Sequence, residues 1–118
     1  MKPRLSRGAG GLSGAALKPI ALAAVYACYD ATGLPIVGMG GITSGRDALE
    51  LVAAGAASVA LGTILFADPG APARIRAELA SEIAKLGVGE IDNAIGLAHA
   101  ESVASSETVA RAAAMSVQ

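Results

Sequence analysis

The residues of this chain that could do chemistry are mostly glycines. Gly38-Met39-Gly40-Gly41-Ile42 follows directly on Leu34-Pro35-Ile36-Val37, and Gly62-Thr63 follows on Ala57-Ser58-Val59-Ala60-Leu61. Glycines just past a buried strand remove every Cβ there, so backbone N–H groups can approach a ligand closely or take positive φ. That is the chemistry of an anion cradle. Two such turns after adjacent parallel strands lie side by side at one carboxyl edge, where αβ barrels form a phosphate site after their last two strands. The alternative is that the glycines only permit tight turns and close helix packing. Residue types alone leave both readings open. A third glycine segment, Gly8-Ala9-Gly10-Gly11-Leu12-Ser13-Gly14, reads either as a flexible linker or as a loop shaped around a ligand.

The other reactive side chains are isolated. Cys28 falls in the middle of an apolar stretch and reads as a buried structural thiol; a single cysteine excludes an internal disulfide. His99 has no carboxylate or cysteine at ligand spacing and reads as a surface or loop histidine, so no metal site is expected. Lys18 opens a helix after the glycine segment and reads as a solvated helix-start residue.

The elements that must position these residues follow from pattern. Lys18 to Thr32 is a helix with Pro19 in its first turn and Gly33 as its left-handed terminator. It is apolar on most sides, through Ile20, Leu22, Val25 and Cys28, and expects cover. Leu34, Ile36 and Val37 form a branched apolar run, as in a parallel strand covered on both faces. Ser44 caps a second helix, with Asp47 at the third position to close a capping box and oppose the helix dipole. Leu49, Leu51 and Val52 are its apolar side and Gly55 ends it. Ala57 to Leu61 is a second strand. A helix over Pro72 to Leu86 presents Ile75, Leu79, Ile83 and Leu86, with Arg74, Arg76, Glu78, Glu82 and Lys85 opposite. Gly87 to Gly96 is a loop with a short turn, and His99 to Met115 is an alanine-rich, marginal helix. Met1 to Arg7 is a basic, irregular arm.

Strand, helix, strand with so short a crossover makes a parallel βαβ unit. Two parallel strands leave open edges and belong to a larger barrel or doubly wound sheet. A barrel needs about 250 residues, and the chain has 118. A fragment, a truncated product or a chain that assembles with other copies or chains is therefore expected. Lys+Arg 9 against Asp+Glu 10 offers no basic face for nucleic acid. The longest apolar run, Pro19 to Cys28, is too short to span a bilayer. The start lacks the apolar core of a secretory signal. A soluble cytoplasmic protein, without nucleic-acid or membrane partners, is the default expectation.

Gly10-Gly11-Leu12-Ser13-Gly14, Lys18-Pro19-Ile20-Ala21, Pro35 to Ile42, Asp47-Ala48-Leu49-Glu50, Ala54-Gly55-Ala56 and Leu61-Gly62-Thr63, in this order, resemble the C-terminal third of class 1 dihydroorotate dehydrogenases. The resemblance runs roughly from Lys2 to Gly96. It implies an α/β fold: the C-terminal part of a (β/α)8 TIM barrel, strands 7 and 8 with their helices, incomplete as a barrel by itself. It implies FMN as cofactor, with Gly14 against the flavin, Gly40 and Gly41 holding the phosphate through backbone N–H groups, and Gly62 with Thr63 completing the cradle. It implies a part in oxidising dihydroorotate to orotate in pyrimidine synthesis, with an electron-transfer subunit or self-assembly as possible partnerships. Ala15 stands where the family usually has proline, and Ala23 where arginine is common. The family's base, flavin-contacting lysines and orotate-binding asparagines come from earlier strands and have no counterpart here, so no catalytic residue is expected in this chain. Other readings are a non-catalytic remnant or assembly module, or part of another FMN-dependent barrel oxidoreductase. The expected organisation is a basic start and glycine-rich loop over 1–16, a βα-barrel segment with the phosphate turns over 17–87, and a C-terminal loop and marginal helix over 88–118.

Overall fold

The computed structural model describes residues 8–100; the basic arm before them and most of the expected terminal helix lie outside the described residues. The architecture is α/β. A 3-10 turn, Ala15–Leu17, leads into helix α1, Lys18–Thr32, then strand β1, Ile36–Met39, helix α2, Gly45–Ala53, and strand β2, Ala56–Ala60. A one-turn helix α3, Ile64–Ala67, helix α4, Ala71–Leu86, and a 3-10 turn, Ile91–Ala94, complete it. Residues 97–100 are again helical. Helix α3 was not expected, because four residues are too few to show a period.

The punctuation expected from local chemistry is present. Pro19 sits in the first turn of α1, and Gly33 closes that helix in the left-handed conformation at φ 62°. Gly87 closes α4 in the same way at φ 70°. Helix α2 has the reciprocal capping box, with the Ser44 side chain accepting from the Asp47 N–H and the Asp47 carboxylate accepting from the Ser44 N–H.

Strands β1 and β2 are parallel and joined by α2. Val37 pairs with Ser58, Gly38 with Val59 and Met39 with Ala60, and the register is irregular between Ile36 and Val37. Both glycine-containing turns therefore leave the sheet at the same carboxyl edge. The strand expected over Ala57 to Leu61 begins one residue earlier.

Helix α2 is the centre of the packing. Leu51 and Val52 are fully buried, and they face two clusters. Leu51 joins Ala21, Val25, Ile42 and Ile75 between the sheet, α1 and α4. Val52 and Leu49 meet Ile83 and Ala94. The approach of α4 is close enough that a Cβ on Gly45 would run into Glu78 and the Leu79 backbone. Only glycine fits at the start of α2 without pushing the two helices apart.

Three expectations need correction. The β1 strand is not covered on both faces among the described residues: Leu34, Val37 and Met39 are each more than three-fifths exposed. Helix α1 buries only Ala21 and Val25, with Leu22 and Tyr26 packed beside them. These four-residue steps leave Ile20 exposed and Cys28 on the open side, so Cys28 is an exposed thiol and not a buried one. Leu86, expected at the end of the α4 stripe, is half exposed, while Ile75 and Ile83 are buried.

Candidate anion-binding site

The five residues singled out as a cradle come together. Gly14, Gly40, Gly41, Gly62 and Thr63 all line one cavity of about 400 Å³ at the carboxyl edge of the sheet. Ser13, Leu17, Met39, Ile42, Thr43 and Ala60 complete most of its wall. No charged side chain lines it; its side-chain polar groups are the hydroxyls of Ser13, Thr43 and Thr63, and the rest of the lining side chains are apolar. Such a wall suits an anion bound by neutral donors. Among the described residues, the N–H groups of Gly41, Gly62 and Thr63, which lie past the ends of the strands, have no protein acceptor, so they remain available.

The glycines do different jobs. Gly40 and Gly41 have φ 128° and 70°, which residues with a Cβ rarely adopt. A Cβ on Gly40 would lie 2.9 Å from the Ala21 Cβ, and one on Gly41 would lie 2.7 Å from the Lys18 backbone nitrogen. At these two positions the close-packing reading of the glycines holds: the turn is pressed onto the start of α1. Gly14 also needs its positive φ of 80°. Gly62 has no positive φ, and a Cβ there would meet nothing within 4 Å. Packing among the described residues does not account for the glycine at 62.

A polar network lies behind the turn. Lys18 Nζ is 2.6 Å from Asp47 Oδ1 and 2.8 Å from Glu50 Oε2. Asp47 Oδ2 accepts from Thr43 N at 2.9 Å, Thr43 Oγ1 at 2.8 Å and Ser44 N at 3.0 Å. Burial pushes the Asp47 carboxyl up, but the hydrogen bonds from Lys18, Thr43 and Ser44 outweigh it and hold the group far below the usual carboxylate range. Lys18 is raised, chiefly by its bond to Asp47 and then by Glu50. It is thus a paired cation in the protein framework, not a solvated helix-start residue. Sequence reading missed this pair because its members stand 29 positions apart; the capping box was legible, its cationic partner was not.

On the far side, the Arg74 guanidinium reaches the Thr43 carbonyl at 3.3 Å and pairs with Asp68 and Glu78. Glu78 in turn accepts from the Gly45 N–H at 2.7 Å. The Thr43, Ser44 and Gly45 N–H groups leading into α2 are thereby taken by carboxylates of the chain itself.

His99 lies in a helical segment and is part-buried, not a loop residue. Its ring stacks on Tyr26 with centroids 3.7 Å apart and its Nε2 lies 3.0 Å from the Ala54 carbonyl. Among the described residues no group of three or more His, Cys, Asp or Glu side chains could hold a metal.

Comparison with known proteins gives these features a context. The sequence profile of the family described as dihydroorotate dehydrogenase matches residues 1–83. The chain belongs to the dihydroorotate dehydrogenase family. It is 45% identical over 98 residues to the catalytic subunit of dihydroorotate dehydrogenase B (NAD(+)) of Desulforudis audaxviator, covering 83% of this chain and 32% of that one. It is 45% identical over 95 residues to a putative dihydroorotate dehydrogenase A (fumarate) of Solibacter usitatus, covering 80% and 31%. The crystal structure of DHODH from Eimeria tenella in complex with ferulenol superposes with a TM-score of 0.73 at 33% identity, over 81% of this chain and 27% of that one. The chain thus spans about a third of the length of its dihydroorotate dehydrogenase relatives. The profile match over residues 1–83 takes in the segments that line the cavity. Among the described residues no helix is long and apolar enough to cross a membrane.

Proposed function

We propose that this chain supplies the FMN phosphate-binding part of a dihydroorotate dehydrogenase, an enzyme that oxidises dihydroorotate to orotate in pyrimidine synthesis. The observation that carries the reading is the single cavity lined by Gly14, Gly40, Gly41, Gly62 and Thr63, where the Gly41, Gly62 and Thr63 amides have no protein acceptor among the described residues. In this assignment β1 and β2 are strands 7 and 8 of a (β/α)8 barrel. The bare face around Val37 and Met39 is then the side that the remaining strands cover.

The phosphate end of FMN fits the wall. Gly40 and Gly41 offer N–H groups from a turn whose conformation is set by packing behind it. Gly62 leaves room where a side chain would intrude, and Thr63 adds a hydroxyl. Gly14 borders the same space from the glycine loop and would meet the flavin. Bound flavin supplies the hydride-accepting chemistry of the reaction; this chain's residues hold the phosphate, orient the cofactor and exclude bulk from its path. None of them is assigned a catalytic role. Relatives named as catalytic subunits of an NAD(+)-dependent enzyme favour a separate electron-transfer subunit as partner of the whole enzyme. A cytoplasmic location is part of the same proposal.

The test is a titration of the isotopically labelled chain with FMN and with riboflavin, followed by amide resonances. FMN is expected to shift Gly40, Gly41, Gly62 and Thr63, and riboflavin to shift them much less. Equal responses to the two, or none at these four amides, would remove the phosphate assignment.

A further inference from the structure

We infer that Lys18 and Asp47 are positioning residues for the phosphate turn: their ion pair braces Gly40 to Thr43 from behind and sets where its amide groups point. This rests on the reading of Gly40 and Gly41 as phosphate donors. Neither Lys18 nor Asp47 lines the cavity, so neither acts by touching a ligand.

The geometry is a closed ring. Gly41 is pressed on the Lys18 backbone, whose nitrogen would lie 2.7 Å from a Cβ at that position. The Lys18 ammonium reaches forward to Asp47 Oδ1 at 2.6 Å. Asp47 Oδ2 returns to the turn, accepting from the Thr43 N–H at 2.9 Å and hydroxyl at 2.8 Å. The start of α1, the turn after β1 and the start of α2 are thus joined by one carboxylate whose two oxygens point at different segments. Its side chain is only 13% exposed and that of Lys18 27%, so solvent screens the pair less than an ordinary surface bridge. A backbone cradle has no side chain to readjust if the turn shifts, so its donors are useful only while the turn is held. Small misplacements of such groups are costly, up to roughly a hundredfold for about an ångström.

The alternative is that Lys18 simply adds positive potential near an anion. The two ideas differ in sign. Potential alone predicts that Lys18→Met weakens FMN and that Asp47→Asn, which removes a negative charge, strengthens it. Bracing predicts that both weaken FMN, because each breaks the same ring. The experiment measures FMN and riboflavin binding to the full chain and to K18M, K18R and D47N, together with amide spectra without ligand.

The expected result is a loss of about tenfold in the preference for FMN over riboflavin in K18M and D47N. Riboflavin binding is expected to be unchanged, the preference substantially restored in K18R, and the Gly41 and Thr43 amides displaced in ligand-free K18M. A preserved preference in K18M, or tighter FMN binding in D47N, would overturn the inference. Should D47N fail to fold for want of its helix cap, E50Q carries the same sign test with the cap intact: unchanged or weaker FMN binding supports bracing, and tighter binding overturns it. If the unaltered chain shows no preference for FMN, the phosphate reading itself falls. Unmoved Gly41 and Thr43 amides in ligand-free K18M would sink the brace alone.

Discussion

Single residues in this chain divide by what their neighbours demand. Gly41→Ala must adopt positive φ and press on Lys18, so a destabilisation of about 2 kcal/mol or more is expected in urea unfolding. Gly62→Ala meets nothing within 4 Å and is expected to stay within about 0.5 kcal/mol of the parent, while weakening FMN relative to riboflavin. Measuring both quantities on both variants separates glycines kept for packing from one kept for a ligand. Asp47 leads to a pH prediction. Its pKa is depressed in the fold, so its contribution is present above the unfolded value near 3.8. That contribution is lost progressively as pH falls below this value toward the folded pKa. Asp47→Asn should therefore flatten the acid limb of stability below about pH 4, and an unchanged limb in acid unfolding curves would contradict the assignment. The Asp47 cap was legible because a capping box is local. Lys18 as its partner was not, since the two stand 29 positions apart and only the fold brings them together.

At the scale of elements, helix α2 organises the unit because its two buried leucine and valine positions face different clusters. The aromatic contact of His99 extends that unit. The ring stacks on Tyr26, lies tilted to Tyr29 and bonds the Ala54 carbonyl at the end of α2, so it ties residues 97–100 to α1 and α2. His99→Ala is expected to cost about 1–2 kcal/mol through lost stacking and one hydrogen bond. Hydrogen exchange should then rise first at residues 97–100, and exchange rising uniformly would show that the ring does not pin this segment. Helix boundaries were readable from Pro19, Gly33, Ser44 and Gly87 because capping and chain reversal depend on the adjacent few residues. The burial of a given helix face was less readable. Helix α1 is apolar nearly all round, so its composition cannot say which side finds a neighbour, and Cys28 and Ile20 fall on the open one.

At the scale of the whole molecule, the sheet is open among the described residues. A two-stranded parallel sheet with Val37, Met39 and Leu34 uncovered leaves apolar surface and ladder edges that call for more strands. The 118-residue chain alone is expected to associate as its concentration rises, measured by light scattering, with Val37→Lys reducing the effect; a monomer at all concentrations would oppose it. The chain alone is also expected to show no dihydroorotate oxidation with added FMN and an electron acceptor, because the polar side chains lining the cavity are hydroxyls, with no proton-transfer group of suitable type. Turnover by the purified chain would refute this.

What the sequence by itself determined is what depends on short range. The strand, turn and capped-helix order, the parallel βαβ unit, the left-handed glycine ends and the glycine positions able to expose amides all follow from local sterics and periodicity. The family resemblance drawn from the same motifs agrees with the profile match over residues 1–83. Tertiary structure alone decided the convergence of Gly14, Gly40, Gly41, Gly62 and Thr63 on one cavity. It also showed that Gly40 and Gly41 serve close packing on the start of α1, and that Lys18 closes a ring with Asp47 behind the turn. These depend on distances between segments far apart in the chain, and side-chain spacing along a sequence carries no measure of them.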